Sequence, residues 1–422
     1  MNKLFSTLLL CFLFLLPSCK DSSVLPEPEP EPEPIPVYEG PTKQVTLVYA
    51  VNRNNLSSAL EFNMRQMIEG LKTLPTNEYV MLVFKTFTKE TESGDKKEVA
   101  GLYKAVSGPD ADFVLQKEYS RDILSTDPVR MKEIFADALK EKGDSYNLFF
   151  WGHGMAWTPY FSEHTRSGVM PDYVENVPEL TSFGGDNGNK DWADLDEIRD
   201  AIPDDKFNMI WFDCCYMSNI ETVYELRGKC NWMVAYPTEI ASDGLPYHLV
   251  LPCIFKDEPD LAGGCKALYE YYVSRGITVT ATVMDMSKIE PLAESCRAIY
   301  LSGEKRPYKS GLQNYSRSYS NPYYDLGQYA REFAQANDAE RLIPNLQEAL
   351  SEFVVYTVAS EKDFNSKPIR PEDYSGLSTH YFQNSSSEKE NYYRELAWYK
   401  ATYLEGNEDD NTEDIEENTE EE

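Results

Sequence analysis

Short runs of apolar residues at 45–51, 79–87, 146–151, 207–212 and 232–236 constrain this chain more than any other feature. Each is apolar at most positions rather than at every second one, which is the pattern of strands buried on both faces of a sheet. Segments with helical spacing lie between them. Leu56, Leu60, Met64, Met67, Ile68 and Leu71 fall on one helical face, and Met131, Ile134, Phe135, Ala138 and Leu139 on another. Ser58 and Glu61 have the spacing of a capping box for the first of these helices. A weaker strand is predicted at 98–106, and helices at 194–202, 219–227, 260–274, 288–301, 325–335 and 340–358. Further strands are predicted at 277–285 and near 377–382. Alternation of this kind specifies an α/β fold: a mostly parallel central sheet flanked by helices on both faces.

The two ends of the chain differ from its middle. Lys3 precedes a largely apolar stretch, 4–16, which ends in Leu16-Pro17-Ser18-Cys19. The stretch suits a signal core and is short for a membrane span. A small residue before a cysteine is the pattern of a bacterial lipoprotein signal, with 1–18 removed and Cys19 lipidated; the alternative is an ordinary secretory signal. Residues 19–40 include alternating Pro and Glu, a stiff extended spacer. Residues 405–422 are almost wholly acidic and polar and are expected to be disordered. The folded part is therefore 41–404. With 71 acidic against 40 basic residues, the formal charge is −31. Such a chain repels phosphate backbones, so no nucleic-acid partner is expected, whereas cationic peptides are attracted. The expected location is the bacterial outer membrane, lipid-anchored on its surface or periplasmic face, as a monomer.

In open α/β sheets ligands bind beyond the carboxyl ends of the strands. Two of the apolar runs end in reactive residues: Gly152-His153-Gly154 follows one, and Asp213-Cys214-Cys215 another. A thiol attacks a carbonyl as thiolate, and a nearby imidazole can take its proton. Backbone N–H groups at Gly154 and Cys215 are candidates for holding the resulting oxyanion. The remaining cysteines (Cys230, Cys253, Cys265 and Cys296) form no CxxC framework, although one or two disulfides remain open. The four histidines, His153, His164, His248 and His380, have no metal-ligand spacing. Asp186-Asn187-Gly188-Asn189 lacks the full spacing of a calcium loop and reads as a turn. No cofactor is expected. The tyrosine-rich stretch 315–324 reads as packing surface, with a recognition loop as the alternative.

The segments Asn147-Leu-Phe-Phe-Trp-Gly-His-Gly-Met-Ala-Trp157 and Phe212-Asp-Cys-Cys-Tyr-Met-Ser-Asn-Ile-Glu-Thr-Val-Tyr-Glu-Leu226 resemble the histidine and cysteine motifs of clostripain-type (C11) cysteine peptidases, of the caspase–gingipain–legumain clan. Ala235-Tyr-Pro-Thr-Glu-Ile-Ala-Ser-Asp-Gly-Leu-Pro-Tyr247 is similar to a downstream loop of that family. The resemblance runs in order over about 43–385. It implies a caspase-like fold, with His153 as general acid/base and Cys215 as nucleophile, and with Cys214 at a position usually held by alanine. It also implies Asp213 and Asp243 at or near the S1 pocket, hence cleavage after Arg or Lys. In relatives, self-cleavage often occurs between the two motifs; here Lys190 and Arg166 are the basic residues so placed, in a stretch, 158–192, that reads as loop. Calcium dependence occurs in relatives and is left open. The expected activity is that of a lipid-anchored cysteine endopeptidase passing through a thioester acyl-enzyme. The alternatives are a catalytically silent surface-binding lipoprotein of the same fold, and a different Cys–His acyl-transfer enzyme such as a transpeptidase or amidase.

Overall fold

The computed structural model describes residues 40, 42–91, 93–158, 182–315 and 323–404, all within one compact unit. The signal segment, Cys19, the linker up to residue 39, Arg166, His164 and the acidic tail lie outside the described residues. In chain order the elements are β1 (Gln44–Ala50), α1 (Ser57–Leu71), β2 (Tyr79–Glu90), β3 (Lys96–Val106), β4 (Val114–Tyr119), α2 (Pro128–Ala138) and β5 (Ser145–Trp151). A small hairpin-like region follows: β6 (His153–Gly154), β7 (Phe183–Gly185), the distorted turn α3 (Asp186–Asn189) and β8 (Asp191–Ala193). Next come α4 (Leu195–Ala201), β9 (Phe207–Asp213), α5 (Ile220–Glu225), β10 (Cys230–Ala235), α6 (Tyr247–Ile254), α7 (Leu261–Val273), β11 (Thr280–Asp285) and α8 (Ile289–Tyr300). The last part holds β12 (Tyr323–Asp325), α9 (Leu326–Ala336), α10 (Ile343–Phe353), β13 (Val354–Ala359), β14 (Ser378–His380), α11 (Glu388–Glu395) and α12 (Ala397–Tyr403).

Nine strands form one sheet in the order β13-β11-β10-β9-β5-β1-β2-β3-β4. The five predicted apolar runs are its five central strands, all parallel. Antiparallel pairs extend it at both edges. Alternation along β5 shows why a continuous apolar run is needed. Leu148 and Phe150 enter the core on one face, while Phe149 and Trp151 enter the core on the other. Helices α1, α6 and α7 cover the second face; α2, α4, α5 and α8–α12 are grouped on the first. Each fully buried large apolar side chain contributes roughly 1.5–3 kcal/mol, set against the entropy of ordering the chain.

Several expectations change. The capping box of α1 does not form: Leu56 is the N-cap without a side-chain bond, and Glu61 instead pairs with Lys85. The predicted helix 340–358 ends at Phe353, because the β-branched Val354, Thr357 and Val358 pair with β11 as part of an edge strand. The last predicted strand forms as β14 and pairs with β12 in a separate two-stranded sheet. Residues 182–192, read as loop, are the ordered β7–α3–β8 region. Tyr315, Tyr323 and Tyr324 are buried and act as packing surface. Among the described residues, no helix is long and apolar enough to cross a membrane.

Candidate active site

Strands β5 and β9 are neighbours, with Trp151 opposite Asp213. His153 and Cys215 each lie two residues beyond that matched pair. Because adjacent strands run about 4.8 Å apart, the two residues leave the same edge of the sheet side by side. Gly154 closes the gap between the segments. A Cβ on it would lie 2.5 Å from Cys215 O and 2.8 Å from Cys214 Cβ, so no residue with a side chain fits there unless the cysteine loop shifts. Gly152 has φ +153°, and a Cβ there would press on Val51 O at 3.2 Å.

The cysteine doublet is divided by backbone geometry. Cys214 is fully buried; its Sγ donates to Phe150 O at 3.2 Å, and burial pushes its thiol well above the usual range. Tyr216 then adopts φ +62°, unusual for a bulky residue. Its N–H donates to Thr238 O (3.0 Å), and Ser218 N donates to Tyr236 O (3.0 Å). Ser218 Oγ donates to Gly376 O (2.7 Å), and Asn219 accepts from Thr222 N to cap α5. These bonds hold Cys215 at the rim, partly exposed, where its Sγ accepts from Ile240 N at 3.4 Å. The six cysteines of the described residues are thiols, none in a disulfide.

His153 sits in β6, which pairs with β7 through Gly184. Its ring lies 5.9 Å from that of Trp192. The Nε2 atom is 2.8 Å from Asn55 Oδ1. Burial lowers its pKa from the usual 6.5 to about 4, so the ring is neutral at neutral pH.

Asp213 is buried at the end of β9. Its Oδ2 accepts from Leu245 N (3.0 Å) and Tyr247 Oη (2.9 Å), and its Oδ1 has no partner among the described residues. Burial raises its pKa to about 6, against the lowering effect of those two bonds. Asp243 is exposed in the turn that passes over Asp213, and its backbone oxygen accepts from Asn63 Nδ2 at 2.7 Å. The structure thus sets the Asp213 carboxylate beneath the segment that carries Asp243, the same segment whose Ile240 N–H reaches Cys215.

Lys190 is exposed in the α3–β8 turn, its N–H bonded to Asp186 O (3.0 Å). Asp186 is committed to structure. It receives both Arg121 guanidinium nitrogens at 3.0 Å and the Ser125 and Asn187 N–H groups. Among the described residues no three His, Cys, Asp or Glu side chains are grouped to hold a metal ion. Sequence reasoning missed Asn55, Trp192 and Ile240. The signal available for Asn55 was its position in an asparagine-rich turn after β1, the strand beside β5.

A parallel sheet whose neighbouring strands deliver an imidazole and a thiol to one carboxyl edge defines a caspase-like α/β fold. The clostripain family model (peptidase C11) matches residues 48–415, most of the chain, and the chain belongs to that family. It is a cysteine peptidase, a hydrolase acting on peptides or proteins. A secreted C11 cysteine protease of Bacteroides thetaiotaomicron, solved with an irreversible peptide inhibitor, is 24% identical, with a TM-score of 0.69. It covers 85% of this chain, and the match spans 98% of its own length. An inactive zymogen C11 protease from Parabacteroides distasonis is 22% identical with TM-score 0.70, over 87% of this chain and 100% of its own. A second B. thetaiotaomicron structure, iotapain, has TM-score 0.72 at 22% identity, over 86% and 99%. At these identities the likeness speaks to the fold. No protein among the functionally curated ones matches the sequence.

Proposed function

We propose that the chain is a lipid-anchored endopeptidase that cuts after Arg or Lys through His153 and Cys215. One observation carries the reading. Of two adjacent thiols, one is buried against Phe150 O and the other stands at the rim beside the histidine segment. In the proposed reaction His153, neutral at rest, takes the Cys215 proton as sulfur attacks the scissile carbonyl. The Ile240 N–H supports charge on the sulfur, and the N–H groups of Gly154 and Cys215 receive the oxyanion. The imidazolium then protonates the leaving amine, giving a thioester. Water, deprotonated by His153, hydrolyses the thioester and restores the thiol. In this proposal the buried Asp213 forms the floor, and the exposed Asp243 the mouth, of a pocket for a basic side chain. A carboxylate with one buried, unpartnered oxygen suits a guanidinium or ammonium. Asp213 is ionised only above about pH 6, so affinity for basic P1 residues falls as pH drops through that value.

The test is hydrolysis of Arg- and Lys-ended peptide amides. Wild type and Cys214→Ala are expected to turn over; Cys215→Ala is expected to lose at least about a thousandfold. Equal turnover by Cys215→Ala would reject the nucleophile, and preference for uncharged P1 residues would reject the pocket. Self-processing between the motifs, after Arg166 or Lys190, is part of the proposal. Lys190 lies in a turn with left-handed residues on its N-terminal side, so cutting there needs local opening. Fragments from both wild type and Cys215→Ala would rule self-processing out. Membrane anchoring rests on Ser18-Cys19 and the Pro-Glu spacer. Fatty-acid labelling is expected in wild type and absent in Cys19→Ser.

A further inference from the structure

We infer that Asn55 is the positioning residue of the site: its side-chain oxygen accepts the His153 Nε2 proton and leaves Nδ1 as the atom that exchanges protons with Cys215. This rests on the proposed roles of His153 and Cys215 and adds a third member that the two sequence motifs do not contain. The contact is 2.8 Å, within the range of a good hydrogen bond. A neutral imidazole carries one proton, and the partner of one nitrogen decides which nitrogen holds it. Asn189 Nδ2 lies 3.4 Å from the same Asn55 oxygen. A donor facing that atom agrees with its being the amide oxygen rather than the nitrogen.

The turn carrying Asn55 is built to hold it there. Asn52 bridges to β2, accepting from Thr86 N (2.8 Å) and donating to Thr86 O (2.9 Å). Asn54 Nδ2 reaches Val51 O, Gly184 O and Gly185 O at 3.1–3.3 Å, tying the turn to the strand that pairs with His153. Gly188 N donates to Arg53 O at 2.8 Å. Three anchors, to β2, β7 and α3, thus fix the short segment between β1 and α1, and Asn55 projects from it toward the ring. When His153 becomes imidazolium, the N–H···O bond gains a charged donor and strengthens. Asn55 therefore favours the protonated state formed during attack as well as the resting tautomer. The charged side chains on the elements packed around the ring are Arg53, which is paired with Glu98; Asp186, which is paired with Arg121; and Lys190 and Asp191 of the α3–β8 turn.

The test uses the full chain and two readouts. In turnover of Arg-ended amides, Asn55→Ala is expected to lower kcat roughly tenfold to a hundredfold, a fraction of what a well-placed base contributes, with KM changed by less than about twofold. Asn55→Asp, which keeps the acceptor and adds charge, is expected to restore most of kcat and move the acid limb up by about one pH unit or more. The second readout needs no activity: 15N NMR of imidazole nitrogens in Cys215→Ala protein, assigned with His153→Gln. A single Nε2–H tautomer is expected with Asn55, and a mixture with Asn55→Ala. Wild-type kcat in Asn55→Ala, an unchanged tautomer, or no rise of the His153 pKa with Asn55→Asp would each overturn the inference. Absence of Cys215-dependent turnover would instead sink the dyad, and the NMR arms would still decide the role of Asn55.

Discussion

His153 and His380 share one property and differ in the rest. Burial holds both rings at about pKa 4, below the usual 6.5. His153 stands at the rim of β5, partly exposed, with an uncharged amide on Nε2 and a thiol on the neighbouring segment. His380 is buried in the layer formed by β14, α11 and α12. Its Nε2 meets Glu390 Oε1 at 2.9 Å, and its ring packs on Trp157 and Tyr393 at 5.3 and 4.7 Å. Beside it, buried Glu221 accepts from Thr379 Oγ1, His380 N and Tyr393 Oη. The comparison teaches that a depressed imidazole pKa reports burial, and that access and the partner of the second nitrogen separate the ring proposed to react from the structural one.

Exchanging each ring for alanine is the sharpest way to break the comparison. His153→Ala is expected to cut peptide hydrolysis by at least about a thousandfold with little change in thermal melting. His380→Ala is expected to do the reverse. It leaves the Glu390 carboxyl in the interior without its hydrogen-bond donor and costs about 1–3 kcal/mol, the penalty for a buried polar group left unsatisfied. Denaturant unfolding and initial rates on the same samples check both. If His380→Ala abolished activity at unchanged stability, the assignment of the two rings would be wrong.

A smaller effect is in pH. Between about 6.5 and 4 the unfolded chain takes up protons on these histidines that the folded chain does not. Their contribution therefore destabilises the fold as pH falls through that window and is constant outside it. Asp213 and Asp325, both raised to about 6 by burial, act oppositely: the folded chain holds their protons longer, which favours it as pH drops. The informative quantity is the difference between wild type and His380→Phe. Its stability-versus-pH curve is expected to lose the His380 share of the acid slope, and an unchanged slope would deny that His380 is neutral when folded.

Much of the molecule could be read from the chain because the signals are local. The five parallel strands follow from runs of buried side chains, and His153 and Cys215 from what stands at the ends of two of them. Trp151 and Asp213 being in register makes those strand ends coincide. Less local features were lost. The β-branched segment Val354–Ala359 continued a helical pattern and was missed as a strand, since pairing with β11 decides it. The strand 378–380 was found, but its pairing with β12 outside the central sheet was not, because strand pairing is not written in either segment alone.

By itself the sequence determined the parallel core, the order of the reactive residues and, through the clostripain-type motifs, the class of chemistry. Periodicity and covalent neighbourhood need no knowledge of distant contacts. The motif already pointed to Cys215 of the two adjacent cysteines, but only the tertiary structure supplied the reason it faces out: the left-handed Tyr216 and the bonds to Thr238 and Tyr236. It alone brought Asn55 to a ring 98 positions away, because that meeting is made by the pairing of β1 with β5 and by the anchoring of one turn on β7.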